Sequence, residues 1–380
     1  MVFYVTRDNI SMPNKKRVLI TISSLTGGGA EHVVEHLCEL LGVKYEVICG
    51  YYKECGERGE ALKEKGIKVV KIKNSGRKNR NYLNFLDLRK FVKEYNIDLI
   101  HAHDIHSMMN ASQVKLLMPK VKVVYTFHFG NYPNIDKKIY YFEKLFTKFI
   151  DVLIAVGTKQ ANAIRDTYNY PADRLQVIYN GVQAVDAQPA EFEQQGQDRP
   201  ILFGSLSTLI EQKGIPVLID AVEILERRHP GRSKFIIAGD GYMMDELLQL
   251  CEQKNLSEII EFAGWVRNAD INLLPKFDVF VQSSKWEAMS MVILEAMSAG
   301  KPIVATEVGE NGVVIEHDSC GLIVPPNQAE MLADALERLL LDSKLRRTFG
   351  ENAKQRFAKN FTVQQMAHNY DKLYNSMMES

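Results

Sequence analysis

Long apolar runs are missing from this sequence. No stretch approaches the roughly 18 uncharged apolar residues that a membrane span requires, and Met1 to Lys16 lacks the apolar core of a secretory signal. A protein that stays in the cytosol is expected. The five cysteines, Cys38, Cys49, Cys55, Cys251 and Cys320, show no CxxC spacing, which argues against a disulfide framework or a zinc site and suits reduced, mostly buried thiols. An aspartate-rich metal motif is absent as well. Net charge is also lacking, because 47 Lys+Arg balance 47 Asp+Glu. That balance hides an asymmetry: residues 1–180 carry 28 basic against 18 acidic groups, and residues 181–380 carry 19 against 29. Much of the basic excess lies in Lys63 to Lys93, including Lys71, Lys73, Arg77, Lys78 and Arg80. Such a run is either a solvated face or an attractor of anionic lipid or an acidic ligand.

What is present reads as an ordinary globular protein. The chain has 380 residues, 46% hydrophobic and 25% charged, and that length favours two domains. In the first half Val18–Ser23, Glu46–Gly50, Leu99–His103, Val121–His128, Val152–Val156 and Gln176–Tyr179 read as strands separated by amphipathic helices. Continuous apolar strands between helices indicate a parallel sheet covered on both faces. Residues 183–199, rich in Gln, Ala, Asp and Pro without apolar periodicity, read as a linker. The alternation then restarts with Ile201–Leu206, Phe235–Ala238, Ile259–Ala263, Val279–Gln282 and Pro302–Ala305. The expected organisation is therefore a first domain over 1–182, a linker over 183–199 and a second domain over 200–361. A final helix over 362–380 carries Val363, Met366, Tyr370, Leu373 and Met377 on one stripe, expected to pack back on the first domain. Two doubly wound units would place a ligand in a cleft at the carboxyl ends of their strands.

Four segments carry candidate chemistry. The first strand runs into Thr26-Gly27-Gly28-Gly29-Ala30-Glu31 before a helical pattern. Glycines at a strand-to-helix turn either make a tight turn or let backbone approach an anion at the helix start. Two later strand ends bring His101-Ala102-His103-Asp104 and Thr126-Phe127-His128-Phe129-Gly130, whose histidines either serve the structure or donate to a sugar or phosphate. No third ligand at zinc spacing accompanies them. Gln212-Lys213-Gly214 precedes a helix starting near Ile215, where a lysine can neutralise a phosphate oxygen or simply be solvated. The most specific segment is Ser284 to Met297, with Glu287 above a helix starting near Ser290 and Glu295 about one turn inside it. The first amides of that helix, at Ser290 and Met291, would lie between the two carboxylates, ready for a diphosphate. Glu295 stands inside an apolar run, so a solvated role suits it poorly.

In this order the motifs resemble family 4 of the glycosyltransferases, retaining enzymes of the GT-B fold, over nearly the whole chain. The resemblance rests on Gly-Gly-Gly-Ala-Glu at 27–31, Thr-Phe-His at 126–128, Val-Ile-Tyr-Asn-Gly-Val at 177–182, Lys213-Gly214, Ile-Ala-Gly-Asp-Gly at 237–241, Phe-Ala-Gly-Trp-Val at 262–266 and the glutamates 287 and 295. It implies an α/β protein of two Rossmann-like, doubly wound parallel-sheet domains facing a central cleft. It also implies that Glu287 contacts the donor sugar, Glu295 the ribose, Lys213 the diphosphate and Val266 the base through its backbone. Gly28 and Gly29 would face the donor phosphates or the acceptor, and His128 the reacting centre. Two departures stand out: Gly204-Ser205-Leu206 occupies the place of the family's Gly-Arg-Leu, so Ser205 replaces a diphosphate-binding arginine, and Glu287-Ala288 replaces Glu-Gly.

The activity so implied is retaining transfer of a hexose or N-acetylhexosamine from a nucleotide-diphosphate sugar, leaning toward UDP, to a glycan or lipid-linked acceptor. Neither metal nor other cofactor is expected, nor nucleic acid as a partner. Contact with an anionic membrane at its inner face would follow from the basic first half. Two alternatives are a nucleotide-sugar epimerase of the same fold, and a non-catalytic nucleotide-sugar-binding partner subunit, the latter motivated by Ser205.

Overall fold

Both alternating stretches fold as parallel sheets. The structure is a computed structural model that describes residues 15–72, 84–132, 134–185 and 199–379. Most of the expected linker, at 186–198, lies outside the described residues, as do Lys73, Arg77, Lys78 and Arg80 of the basic run. The first sheet takes its strands from β1 (Arg17–Ile22), β2 (Glu46–Tyr51), β3 (Lys68–Lys71), β4 (Leu99–Ala102), β5 (Lys122–Phe127), β6 (Val152–Ala155) and β7 (Leu175–Val177). The intervening helices are α1 (Gly29–Leu41), α2 (Gly56–Glu64), α3 (Asn84–Glu94), α4 (Ile105–Leu117), α5 (Lys137–Phe146) and α6 (Thr158–Tyr168). Strand order is β3-β2-β1-β4-β5-β6-β7. The chain winds outward from β1 and returns beside it at β4, so the crevice between the ends of β1 and β4 is the switch point where such sheets bind ligands.

The second sheet repeats the plan with β8 (Ile201–Leu206), β9 (Ser233–Ala238), β10 (Ile260–Gly264), β11 (Val279–Gln282), β12 (Ile303–Thr306) and β13 (Gly321–Val324), ordered β10-β9-β8-β11-β12-β13. Its helices are α7 (Ile215–Arg228), α8 (Met244–Gln253), α9 (Ala269–Asn272), α10 (Met291–Ser298), α11 (Asn311–Val314), α12 (Ala329–Leu341), α13 (Ser343–Asn360) and α14 (Val363–Glu379). Here β8 and β11 flank the switch point. The strands are apolar because both faces are covered: Phe203, Val279, Phe280, Ile303 and Val304 are wholly buried. Entry into this sheet is held by Arg199, whose guanidinium makes two 2.7 Å bonds to Asp278, while the same carboxylate accepts the backbone N–H of Leu202.

Two strands escaped the sequence reading, β3 and β13. Both are four residues long and at a sheet edge; β3 reads Lys-Val-Val-Lys with its ends exposed and lacks a continuous apolar run, whereas β13 reads Gly-Leu-Ile-Val, a mostly buried but short apolar run set between a glycine and two prolines. By packing, the chain divides into one unit of 1–126, 141–152 and 371–380 and another of 127–140 with 153–370. The boundary differs from one drawn at the linker because the segments after β5, β6 and β7 pack on residues 287–310 and 361–366. Gly181 lies so close to Thr362 that a Cβ would meet backbone there, and Val182 exchanges backbone hydrogen bonds with Phe361 and Val363. The apolar stripe of α14 is buried at all five positions read from the sequence.

Candidate functional site

The best-defined site grows from the switch point of the second sheet. The turn after β8 ends at Gly214, the left-handed residue before α7, and the loop after β11 runs from Ser283 to Ser290. These two loops are stitched together: Ser283 Oγ donates to the carbonyl of Lys213 at 3.0 Å, the N–H of Lys285 to that of Gln212 at 2.7 Å, and Gln212 Nε2 to that of Trp286 at 2.9 Å. Their closeness delivers Lys213 to Glu287. The ammonium lies 2.6 Å from Glu287 Oε1, which also accepts from Ser284 Oγ at 2.8 Å. Glu287 is 8% exposed, so its charge is compensated by these donors rather than by water.

α10 starts at Met291, one residue past the expected start, with Ser290 at its N-cap. Ser290 Oγ does not cap the helix, because it accepts a 2.6 Å bond from Gln282 Nε2. The amides of the first turn, which no helix can satisfy internally, are thus left without a side-chain cap on an anion-favouring dipole end. Glu295 lies on α10 and is partly rather than wholly buried. The loop is braced from below: Thr306 Oγ1 donates to the carbonyl of Ser284 at 2.6 Å, and Asn311 Nδ2 donates to Gln282 Oε1 at 2.9 Å.

Two glycines clamp the peptide between Glu287 and Ala288. A Cβ at Gly130 would collide with the backbone of both residues, and one at Gly309, where φ is +49°, would meet their carbonyls. Gly130 follows His128 by two positions, so the close approach brings the His128 segment beside Glu287. His128 itself is partly exposed just past β5. The N–H of Glu310 then donates to the carbonyl of Ala288 at 3.0 Å. The Glu310 carboxylate, fully buried, accepts the N–H of Gln160 at 2.9 Å and the hydroxyl of Thr158 at 3.3 Å at the start of α6. Sequence reading missed Ser284, Gly309 and Glu310. Gly309 and Glu310 follow a short strand with no periodic signal, and their value lies in contacts with residues far along the chain.

The other candidates fall as follows. Ser205 sits inside β8 and is 3% exposed, so the position of the absent arginine is enclosed. Val266 is partly buried just beyond β10. Gly28 and Gly29 belong to the first unit, where Gly28 is the N-cap of α1, again without a side-chain cap, and both are exposed. His101 and His103 do not reach toward a ligand: both are buried, with His101 2.6 Å from Tyr374 Oη, 2.8 Å from Thr126 Oγ1 and 3.2 Å from His103 Nε2. They are core polar groups tied to the last helix. Asp104 is likewise structural, accepting the N–H groups of Ser107 and Ser23. Among the described residues, no group of three or more His, Cys, Asp or Glu is placed to hold a metal ion.

Two doubly wound parallel sheets, with a lysine–glutamate pair and an uncapped helix at the switch point of the second, define an α/β protein of the GT-B class. Residues 27–185 match the family described as Glycosyltransferase Family 4, and residues 187–356 that described as Glycosyl transferases group 1. An uncharacterised glycosyltransferase of Methanocaldococcus jannaschii is 30% identical over 305 residues, covering 74% of this chain and 76% of the relative. The UDP-Gal:alpha-D-GlcNAc-diphosphoundecaprenol alpha-1,3-galactosyltransferase of Escherichia coli is 25% identical, over 77% of this chain and 79% of the relative. Among solved structures, Anabaena HepE in complex with UDP matches with a TM-score of 0.83 at 22% identity, covering 95% of this chain and 100% of that one. The chain belongs to the GT-B glycosyltransferases of the family 4 type, and it is a glycosyltransferase.

Proposed function

We propose that this glycosyltransferase moves a hexose or N-acetylhexosamine from a UDP-sugar to a glycan or lipid-linked acceptor, with retention of anomeric configuration and without a metal. The observation that carries the reading is the Lys213–Glu287 pair beside the uncapped start of α10, at the carboxyl ends of β8 and β11. A donor diphosphate set there meets the Lys213 ammonium and the amides at Ser290 and Met291. Negative charge developing on the departing phosphate is then stabilised by fixed donors, the task a divalent ion performs elsewhere. Glu287 accepts from hydroxyls of the sugar, Glu295 from the ribose, and Val266 meets the base through its backbone. Ser205 lines the diphosphate subsite, Gly28 and Gly29 serve phosphates or acceptor, and His128 stands beside the reacting carbon. The acceptor oxygen bonds to that carbon on the face from which the diphosphate leaves, and its proton passes to the departing phosphate oxygen.

The printed names of relatives support the donor and acceptor classes. The Escherichia coli relative takes UDP-galactose and a diphosphoundecaprenol-linked sugar, and HepE was crystallised with UDP and with UDP-glucose. Roles in polysaccharide or lipopolysaccharide assembly, on the cytoplasmic face of a membrane, follow from such acceptors. Among the described residues no helix is long and apolar enough to cross a membrane.

A thermal-shift panel of UDP, GDP and ADP tests the donor, since a ligand at ~100 times its Kd adds about 2.7 kcal/mol of stability. UDP is expected to give the largest shift. Turnover of the matching UDP-sugar with acceptor is expected to persist in EDTA, with the product anomer unchanged by NMR. Strict dependence on added Mn²⁺, or inversion of the anomer, would overturn the mechanism.

A further inference from the structure

We propose that Gln160 is a positioning residue for His128, its buried side-chain amide holding the main chain on both sides of that histidine. Gln160 is the third residue of α6 and is 5% exposed. Its Nε2 donates to the carbonyl of Phe129 at 2.7 Å and to that of Phe127 at 3.3 Å, so the grip falls on the two residues that flank His128. Its Oε1 accepts the N–H of Val156, just past β6, at 2.8 Å. Both N–H donors and the carbonyl oxygen of the amide are thus engaged.

These partners fix the residue type. Two main-chain carbonyls can only accept and a main-chain N–H can only donate, so one orientation of the amide satisfies all three. An ionised glutamate would bring no proton to the two carbonyl oxygens, asparagine is one methylene shorter, and leucine or methionine has no donor. Residues 128–131 lie in neither helix nor strand, so the course of the chain past His128 is set by such contacts rather than by a ladder.

The backbone of Gln160 extends the hold to the other side of the site. Its N–H donates to the Glu310 carboxylate at 2.9 Å, the N–H of Glu310 donates to the carbonyl of Ala288 at 3.0 Å, and Gly130 packs against the peptide between Glu287 and Ala288. One residue therefore anchors the His128 segment directly and the peptide after Glu287 through Glu310. All of these residues belong to the unit of 127–140 with 153–370. The inference rests on the reading of His128 as a group at the reacting centre, and adds what keeps it there. A misplacement of about 1 Å costs on the order of 100-fold in rate, so the loss is expected in kcat rather than in donor binding.

The test combines NMR, calorimetry and kinetics on the full chain. In protein made with ring-labelled histidine, the signal lost in His128→Ala identifies His128, and that signal is expected to shift or broaden in Gln160→Met. Affinity for UDP by calorimetric titration is expected to stay within about twofold of wild type. With UDP-glucose or UDP-N-acetylglucosamine, whichever turns over, Gln160→Met is expected to lower kcat by roughly 10- to 100-fold and leave KM for the donor nearly unchanged. Gln160→Glu keeps the acceptor for Val156 and, while its carboxyl is neutral, one O–H donor for Phe129; its kcat relative to wild type is expected to rise as pH is lowered. That variant carries the same NMR and pH readouts should Gln160→Met fail to fold. In a His128→Ala background, Gln160→Met is expected to change kcat by less than about twofold, because the group it positions is gone. An unmoved His128 signal, or losses that multiply in the double variant while His128→Ala is itself impaired, would refute the positioning role and leave His128 at the reacting centre. Wild-type kcat in His128→Ala would remove both.

Discussion

Lys213 and Glu287 illustrate how two ionised side chains share a task. Each is held by loop contacts of the other's loop, and Glu287 keeps only Lys213 and Ser284 as its described side-chain donors. Lys213→Ala is expected to lower kcat/KM by roughly 10- to 150-fold, the equivalent of one charge-assisted hydrogen bond of about 1.5–3 kcal/mol. It is also expected to lower the melting temperature, since a nearly enclosed carboxylate loses its cation. The double variant Lys213→Ala/Glu287→Gln separates the two effects: melting is expected to recover and activity to stay low. Unchanged nucleotide affinity of Lys213→Ala by calorimetric titration would mean that the phosphates are held elsewhere. The two glutamates should differ. Glu287→Gln is expected to reduce kcat more than donor affinity, whereas Glu295→Ala mainly raises KM for the donor, and indistinguishable kinetics would reverse that division of roles.

The loop bearing Glu287 is positioned by elements rather than by its own sequence. Glu310, at the N-cap of α11, reaches with its carboxylate to the positive end of α6 and with its N–H to Ala288. One residue thus joins the start of α6, the start of α11 and the peptide beside the candidate catalytic glutamate. Gly157 has no side chain to obstruct it, since a Cβ there would overlap the Glu310 carboxylate. Glu310→Ala leaves buried N–H and hydroxyl donors without their acceptor, a loss of about 1–3 kcal/mol in stability. The backbone N–H of residue 310 still holds the Ala288 carbonyl, but the turn that carries it is no longer tied to the start of α6, so kcat is expected to fall more than KM rises, whereas Glu310→Gln, which keeps an acceptor, is expected to restore most of both. Urea unfolding with steady-state kinetics checks this; a kcat that tracks wild type in Glu310→Ala would limit the residue to stability.

Across the molecule, buried bases set the dependence of stability on pH. Burial, with help from Arg58 and His36, pushes the His32 imidazole on α1 down to about 4. Between that value and about 6.5 the unfolded chain binds a proton that the folded chain does not, so stability rises with pH through this window and is lost on acidification. Burial likewise pushes the Lys301 ammonium down to about 8, opposed by Asp278, while it donates to the carbonyl of Pro275 at 2.7 Å. Its contribution adds a second rise between about 8 and 10.5. Melting curves across pH should show both slopes, and His32→Gln should flatten the acid one alone. An acid slope unchanged in His32→Gln would place that titration elsewhere.

Chain order and local pattern made much of this protein legible in advance. Apolar strands between amphipathic stripes marked two doubly wound sheets, and the start of a helix after Glu287 could be read to within one residue, because strand and helix periodicities are written in neighbouring residues. Edge strand β3 carried a short and exposed signal, and β13 a three-residue apolar run set between a glycine and two prolines. Partners stayed hidden for a different reason. Lys213 meets Glu287 across 74 positions of sequence and Gln160 meets Glu310 across 150, distances closed only by the order in which parallel strands assemble. That assembly turned His101 and His103 inward, enclosed Ser205, and made Gly130 and Gly309 the walls of a peptide neither could be seen to touch. Local sequence specifies what each segment is, and the sheet topology decides which segments' ends meet.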